Sequence, residues 1–184
     1  MIRKTAVLAA AALMLASISS AHAVDSASLE VGVGNEGTDL WRAGVQRKWQ
    51  RRWFAERSWT LGAYWDLQVG RWTGRVRAGQ SEREQNVWDI SLTPVFRLER
   101  AEHTGIAPYV EGAIGFHLLS DLRINQRRLF STNFQYGDHL GAGVRFGPEY
   151  RYDASLRVQH LSNGGLAHPN PGINFLQLRL AYHF

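Results

Sequence analysis

From Trp59 to Val69 every second residue is apolar. Trp59, Leu61, Ala63, Trp65, Leu67 and Val69 hold one side, and Thr60, Gly62, Tyr64, Asp66, Gln68 and Gly70 hold the other. The end of the chain repeats the pattern, with Leu176, Leu178, Leu180, Tyr182 and Phe184 set against Phe175, Gln177, Arg179, Ala181 and His183. A period of two belongs to a strand whose faces meet different surroundings. Eight such segments are read, at 27–34, 40–49, 57–71, 85–98, 106–118, 134–146, 150–162 and 173–184. The chain is therefore predicted to be all-β, with eight antiparallel strands.

A soluble sandwich alternates in the same way, so the composition of the two faces has to decide. The polar face combines charge (Glu30, Asp66, Asp89, Arg97, Glu111, Arg145, Arg157) with glycine (Gly32, Gly62, Gly70, Gly115, Gly141, Gly143). A narrow lumen suits small residues beside paired charges, whereas a solvated surface rarely needs them. Aromatic residues fall near predicted strand ends (Trp41, Trp49, Trp59, Trp72, Trp88, Tyr152, Tyr182), as in interfacial girdles. The chain ends on Phe184 behind alternating apolar positions, a pattern similar to the C-terminal signature of bacterial outer-membrane barrels. Together these predict an eight-stranded transmembrane β-barrel of the outer membrane.

An even strand count puts both termini on the periplasmic side. Segments 35–39, 72–84, 119–133 and 163–172 then face outward, and 50–56, 99–105 and 147–149 face the periplasm. Barrels of this size are filled by side chains and form no pore. Pro94 cannot donate a ladder hydrogen bond, so a bulge or local weakening is expected there.

The first segment is set apart from the fold. Arg3 and Lys4 precede an apolar run from Ala6 to Ala16, and Ala21-His22-Ala23 has the form of a cleavage site. The expected organisation is a signal peptide over 1–23 and a barrel domain over 24–184. Losing Arg3 and Lys4 takes the formal charge of the 184-residue chain from +5 to about +3. That modest excess in an exported protein points to anionic lipid head groups and away from nucleic acid. The absence of cysteine excludes disulfides and thiolate chemistry. His103, His117, His139, His168 and His183 show no metal-ligand spacing. No cofactor is expected.

The chemistry concentrates in Gln159-His160-Leu161-Ser162-Asn163-Gly164-Gly165-Leu166. Tyr152, Ala154, Leu156 and Val158 set the lipid-facing parity, and His160 and Ser162 continue it at the outer end of the strand. Lipid-facing polar groups carry a desolvation cost that selection for stability alone would remove. Asn174 shares the outward parity of Leu176 and Leu178 and begins the neighbouring strand, so it is expected near His160. A serine, a histidine and a group that orients the histidine form the arrangement of nucleophilic acyl transfer. Residues two apart on a strand lie about 7 Å apart on one face. Gly164 and Gly165 permit a tight turn whose N–H groups can form an oxyanion hole. Read blandly, His160 is an interfacial residue and Ser162 starts a loop. Arg75, Arg77, Arg83, Arg123, Arg127 and Arg128 in the outer segments can hold phosphates or simply be solvated, and Arg47, Lys48, Arg51 and Arg52 read as a periplasmic turn.

The run His160 to Ile173 resembles the segment His-x-Ser-Asn-x-Gly-x-x-x-Pro-Asn-x-Gly of the lipid A deacylase PagL family, and residues 108–115 and 141–146 extend the similarity. The resemblance implies an eight-stranded outer-membrane enzyme that removes the ester-linked acyl chain at the 3 position of lipid A without a metal. It implies Ser162 as nucleophile and His160 as base, with Asn163, Gly165 and Asn170 near the oxyanion hole. A member of the family carries a glutamate where this chain has Asn174. An amide can orient a histidine but cannot stabilise an imidazolium by charge, so the departure bears on rate more than on reaction class. Asp138, of outward parity one strand away, is a second, less favoured choice for the third group. The expected function is a serine esterase acting on lipid A in lipopolysaccharide at the outer leaflet. The alternative is a non-enzymatic small barrel with a structural or adhesive role. A homodimer is compatible with either.

Overall fold

A computed structural model describes residues 24–54, 58–79, 81–100 and 105–184. The leader expected over 1–23 and His103 lie outside the described residues. The chain folds into eight strands: β1 (Ser26–Gly34), β2 (Thr38–Lys48), β3 (Trp59–Ala78), β4 (Ser81–Arg100), β5 (Ala107–Leu119), β6 (Phe134–Phe146), β7 (Tyr152–Ser162) and β8 (Ile173–His183). Each pairs with the next, and β1 closes the barrel on β8. All pairs are antiparallel. Ser26 pairs with His183, so the start of β1 and the end of β8 meet at one end of the barrel.

The barrel is inside-out. Val31, Leu67, Ile90, Ile114, Leu140, Leu156, Val158, Leu178 and Leu180 are exposed on its outer wall. Glu30, Arg42, Asp66, Asp89, Arg97, Glu111 and Arg157 are buried in its lumen. Burying such charges is tolerable only when each is paired. Arg157 reaches Glu111 at 2.7 Å, Glu30 at 3.2 Å and Asp66 at 3.6 Å. Arg97 joins Glu111 to Asp153, and Arg42 joins Glu30 to Asp89. Glycine makes room for these long side chains: a Cβ on Gly70 would lie 2.3 Å from Cγ of Arg42. Arg145, near the terminal end, is only partly buried and lies 3.8 Å from Glu99.

The structure corrects the sequence reading in two places. The segment 72–84, expected as an outer loop, is mostly strand: β3 and β4 run on as a hairpin to Ala78 and Ser81. Its register sets Arg75 opposite Glu84 and Arg77 opposite Glu82. This extension has no apolar stripe, so periodicity could not reveal it. Trp72, expected in an aromatic girdle, points inward and is fully buried, 5.1 Å from Phe175 between ring centroids. It belongs to an apolar plug with Leu40, Val87, Leu119, Ile124, Phe130, Leu161, Ile173 and Phe175 that fills the barrel at the end far from the termini. Ile124 and Phe130 come from the 120–133 loop, which folds over that end.

Pro94 interrupts pairing between β4 and β5, where the ladder skips from Leu92–Phe116 to Val95–Ala113. The register is the same on both sides of the gap, so the proline weakens the ladder without a bulge.

Candidate active site

The site lies where β7 and β8 reach the far end. Leu161 and Ile173 pair across the two strands and are fully buried in the apolar plug. Because side chains alternate along a strand, anchoring these two inward turns their neighbours outward. His160 and Asn174 are accordingly exposed, and Ser162 is partly so. Each is a polar exception on a wall otherwise built of Leu156, Val158, Leu176 and Leu178.

His160 and Asn174 are register partners. Nδ1 of His160 lies 2.6 Å from Oδ1 of Asn174. An amide oxygen only accepts hydrogen bonds, so the histidine donates from Nδ1–H. The neutral ring then carries its free lone pair on Nε2, the form a general base requires. Asn174 is itself held, since its backbone N–H donates to Oδ1 of Asn35 at 2.8 Å. Asp138 faces His160 in register from β6 and is exposed, but its carboxylate makes no hydrogen bond among the described residues. Of the two choices for the third group, the geometry brings Asn174 to the ring.

Ser162 shares the outward face of His160 but makes no hydrogen bond to it. Across β6 its register partner is Tyr136. Hydrogen bonds of this kind are often long before substrate binds and shorten in the complex.

The turn after Ser162 is shaped by side chains. Asn163 is fully buried. Its Nδ2 donates to Oγ of Ser131 at 2.9 Å and to the carbonyl of Ala167 at 2.8 Å, while its Oδ1 accepts from Gly165 N–H at 2.9 Å. Its own N–H donates to Oδ1 of Asn170 at 3.1 Å. The N–H groups of Asn163 and Gly165 are thus engaged within the loop. The N–H of Gly164 and the Nδ2 group of Asn170 have no acceptor among the described residues. Gly164 and Gly165 take φ of 66° and 82°, left-handed values that favour glycine.

Sequence reasoning missed two residues that shape the site, Asn35 and Ser131, and gave a third, Arg128, only a phosphate-binding or solvated role. Asn35 holds Asn174, Ser131 holds Asn163, and Arg128 reaches the carbonyls of Pro171 and Gly172. All are far from the motif in sequence and sit in irregular loops, so no spacing marks them. Among the other singled-out side chains, His117 lies 3.0 Å from Asp89 and His183 lies 3.3 Å from Asp153, both inside the lumen network.

A family profile described as lipid A 3-O-deacylase (PagL) matches residues 39–183. The lipid A deacylase PagL of Pseudomonas aeruginosa is 31% identical over 169 residues, covering 91% of each chain. The lipid A deacylase PagL of Bordetella bronchiseptica is 37% identical over 107 residues, covering 58% of this chain and 56% of its own. A crystal structure described as that of the outer membrane enzyme PagL superposes with a TM-score of 0.75 at 26% identity, covering 86% of this chain and 99% of that one.

Proposed function

Because the chain belongs to the lipid A 3-O-deacylase (PagL) family, we propose that Ser162, His160 and Asn174 carry the hydrolysis and that the site opens at the outer leaflet. The activity itself is removal of the 3-O-linked acyl chain of lipid A, by an outer-membrane β-barrel enzyme. Family membership sets aside a purely structural or adhesive barrel.

The observation that carries the residue assignment is the His160–Asn174 hydrogen bond on an otherwise apolar wall. With Nδ1–H committed to Asn174, Nε2 takes the hydroxyl proton of Ser162 as Oγ attacks the ester carbonyl. The oxyanion of the tetrahedral intermediate is met by the Gly164 N–H and the Nδ2 group of Asn170, with Asn163 and Gly165 holding the loop that presents them. As the bond from the carbonyl carbon to the sugar 3-oxygen breaks, the imidazolium gives its proton to that oxygen, which leaves as the 3-hydroxyl. Water, deprotonated by the same histidine, hydrolyses the acyl-serine and releases the fatty acid. Asn174 fixes the tautomer throughout.

The start of β1 and the end of β8 lie at one end and the site at the other, which supports a periplasmic end for the former and an outer-leaflet position for the latter. That leaflet is where a lipid A acyl ester would lie beside an outward-facing serine. Residues 1–23 serve as the export signal and are removed.

Mass spectrometry of lipid A tests the assignment. Cells expressing the protein should yield lipid A lacking one hydroxyacyl chain, and cells expressing His160→Ala should yield unmodified lipid A. Unaltered processing by His160→Ala would refute the proposed base.

A further inference from the structure

Arg128 stands in the 120–133 loop, half-buried, and touches two other loops at once. Its Nη1 donates to the carbonyl of Pro171 at 2.8 Å and to that of Gly172. Its Nε lies 3.1 Å from Oε2 of Glu36. The Nη1 group thus engages two backbone carbonyls while the Nε–Nη2 edge faces one carboxylate, with Nη2 3.5 Å from Oε1 of Glu36, a spread of directions that a lysine ammonium cannot reproduce.

Each arm ends beside the hydrolytic pair. Gly172 is buried against the imidazole: a Cβ placed on it would lie 2.8 Å from Cε1 of His160. Glu36 follows Asn35, whose Oδ1 accepts the backbone N–H of Asn174. Glu36 also holds φ 54° and ψ 38°, left-handed values costly for a residue with a side chain. Such a conformation persists where its surroundings hold it, and these clusters occur where geometry is being fixed for function. The base of the strap is secured independently. Oδ1 of Asn125 accepts from the N–H groups of Arg127 and Arg128, and its Nδ2 donates to Oγ1 of Thr38.

We propose that Arg128 is a positioning residue for the esterase site, clamping Gly172 against one side of His160 and, through Glu36 and Asn35, fixing Asn174 on the other. The proposal rests on His160 and Asn174 being the catalytic pair. Its action is on orientation alone. With Arg128 removed, the 171–172 backbone and Asn35 relax, and the imidazole samples positions from which Nε2 does not reach Ser162.

The test is steady-state kinetics of the refolded barrel, residues 24–184, on lipid A in mixed micelles, for Arg128→Met, Arg128→Lys, Glu36→Gln and the double variant Arg128→Met/Glu36→Gln. Heat-modifiable gel mobility reports folding. Positioning predicts that Arg128→Met lowers kcat by about a hundredfold, the size of effect that a misplacement of about 1 Å produces, with little change in apparent KM. Arg128→Lys recovers part of that loss. Glu36→Gln lowers kcat in the same direction, and the double variant is no worse than Arg128→Met alone, since both act through one clamp. If Arg128 instead binds a phosphate of the substrate, Arg128→Met raises apparent KM in a salt-dependent way, kcat holds, and Glu36→Gln is neutral; that pattern overturns the proposal. An unchanged kcat in Arg128→Met also overturns it. Ser162→Ala and His160→Ala run beside these variants. Full activity in either removes the underlying site assignment, whereas loss in both with Arg128→Met unaffected removes only the clamp.

Discussion

His160 and Asn174 face one another across β7 and β8, with Nδ1 2.6 Å from Oδ1. The contact exists because two buried neighbours, Leu161 and Ile173, pair one step further along and hold the register. A slip of one residue would turn the histidine into the lumen and an apolar residue into its place.

Asn174→Ala should therefore lower kcat by roughly a hundredfold, within the range that correct acid–base catalysis contributes. Asn174→Asp and Asn174→Glu should retain or raise activity, because a carboxylate accepts the same Nδ1–H and also stabilises the imidazolium. Release of fatty acid from purified lipid A measures both. Wild-type activity in Asn174→Ala would mean that the amide does not orient the ring.

Gly172 sits at φ 57° with His160 directly against it. Gly172→Ala is expected to displace the imidazole and strain the turn together, lowering activity at least tenfold, again at the scale of small geometric errors in positioned groups. The barrel, closed by strands remote from this turn, should keep its heat-modifiable mobility. An active Gly172→Ala enzyme would show that the ring has room to give.

Stability rests elsewhere. Arg157 is 2% exposed and serves Glu30, Asp66 and Glu111. Arg157→Leu strands those carboxylates in the lumen and should destabilise the folded barrel by about 3–5 kcal/mol, the cost of breaking a buried pair from one side. Urea unfolding in lipid vesicles measures it. A shift of the midpoint too small to resolve would mean that water enters the lumen freely enough to solvate the carboxylates.

Much of this arrangement is legible along the chain. The parity of Leu156 and Val158 carries forward to His160 and Ser162, and that of Leu176 and Leu178 carries back to Asn174, so the polar exceptions stand out wherever lipid demands apolar residues. What escapes is set by contacts with no period. The β3–β4 hairpin continues through Arg75, Arg77, Glu82 and Glu84, where both faces are polar and a strand looks like a loop. Trp72 has the composition of a girdle residue but turns inward, because the far end of the lumen is an apolar plug capped by Ile124 and Phe130. Asn35 and Arg128 reach the site from loops whose sequences announce only a turn and a charge.

The central claim is that Ser162 is the nucleophile and His160 its base. The most direct measurement is fatty acid release from purified lipid A by Ser162→Ala, His160→Ala and the double variant, each shown to be folded by heat-modified mobility. Both single variants should fall to near background, and the double should be no lower than either, because the pair acts as a unit. Full hydrolysis by folded Ser162→Ala would contradict the account.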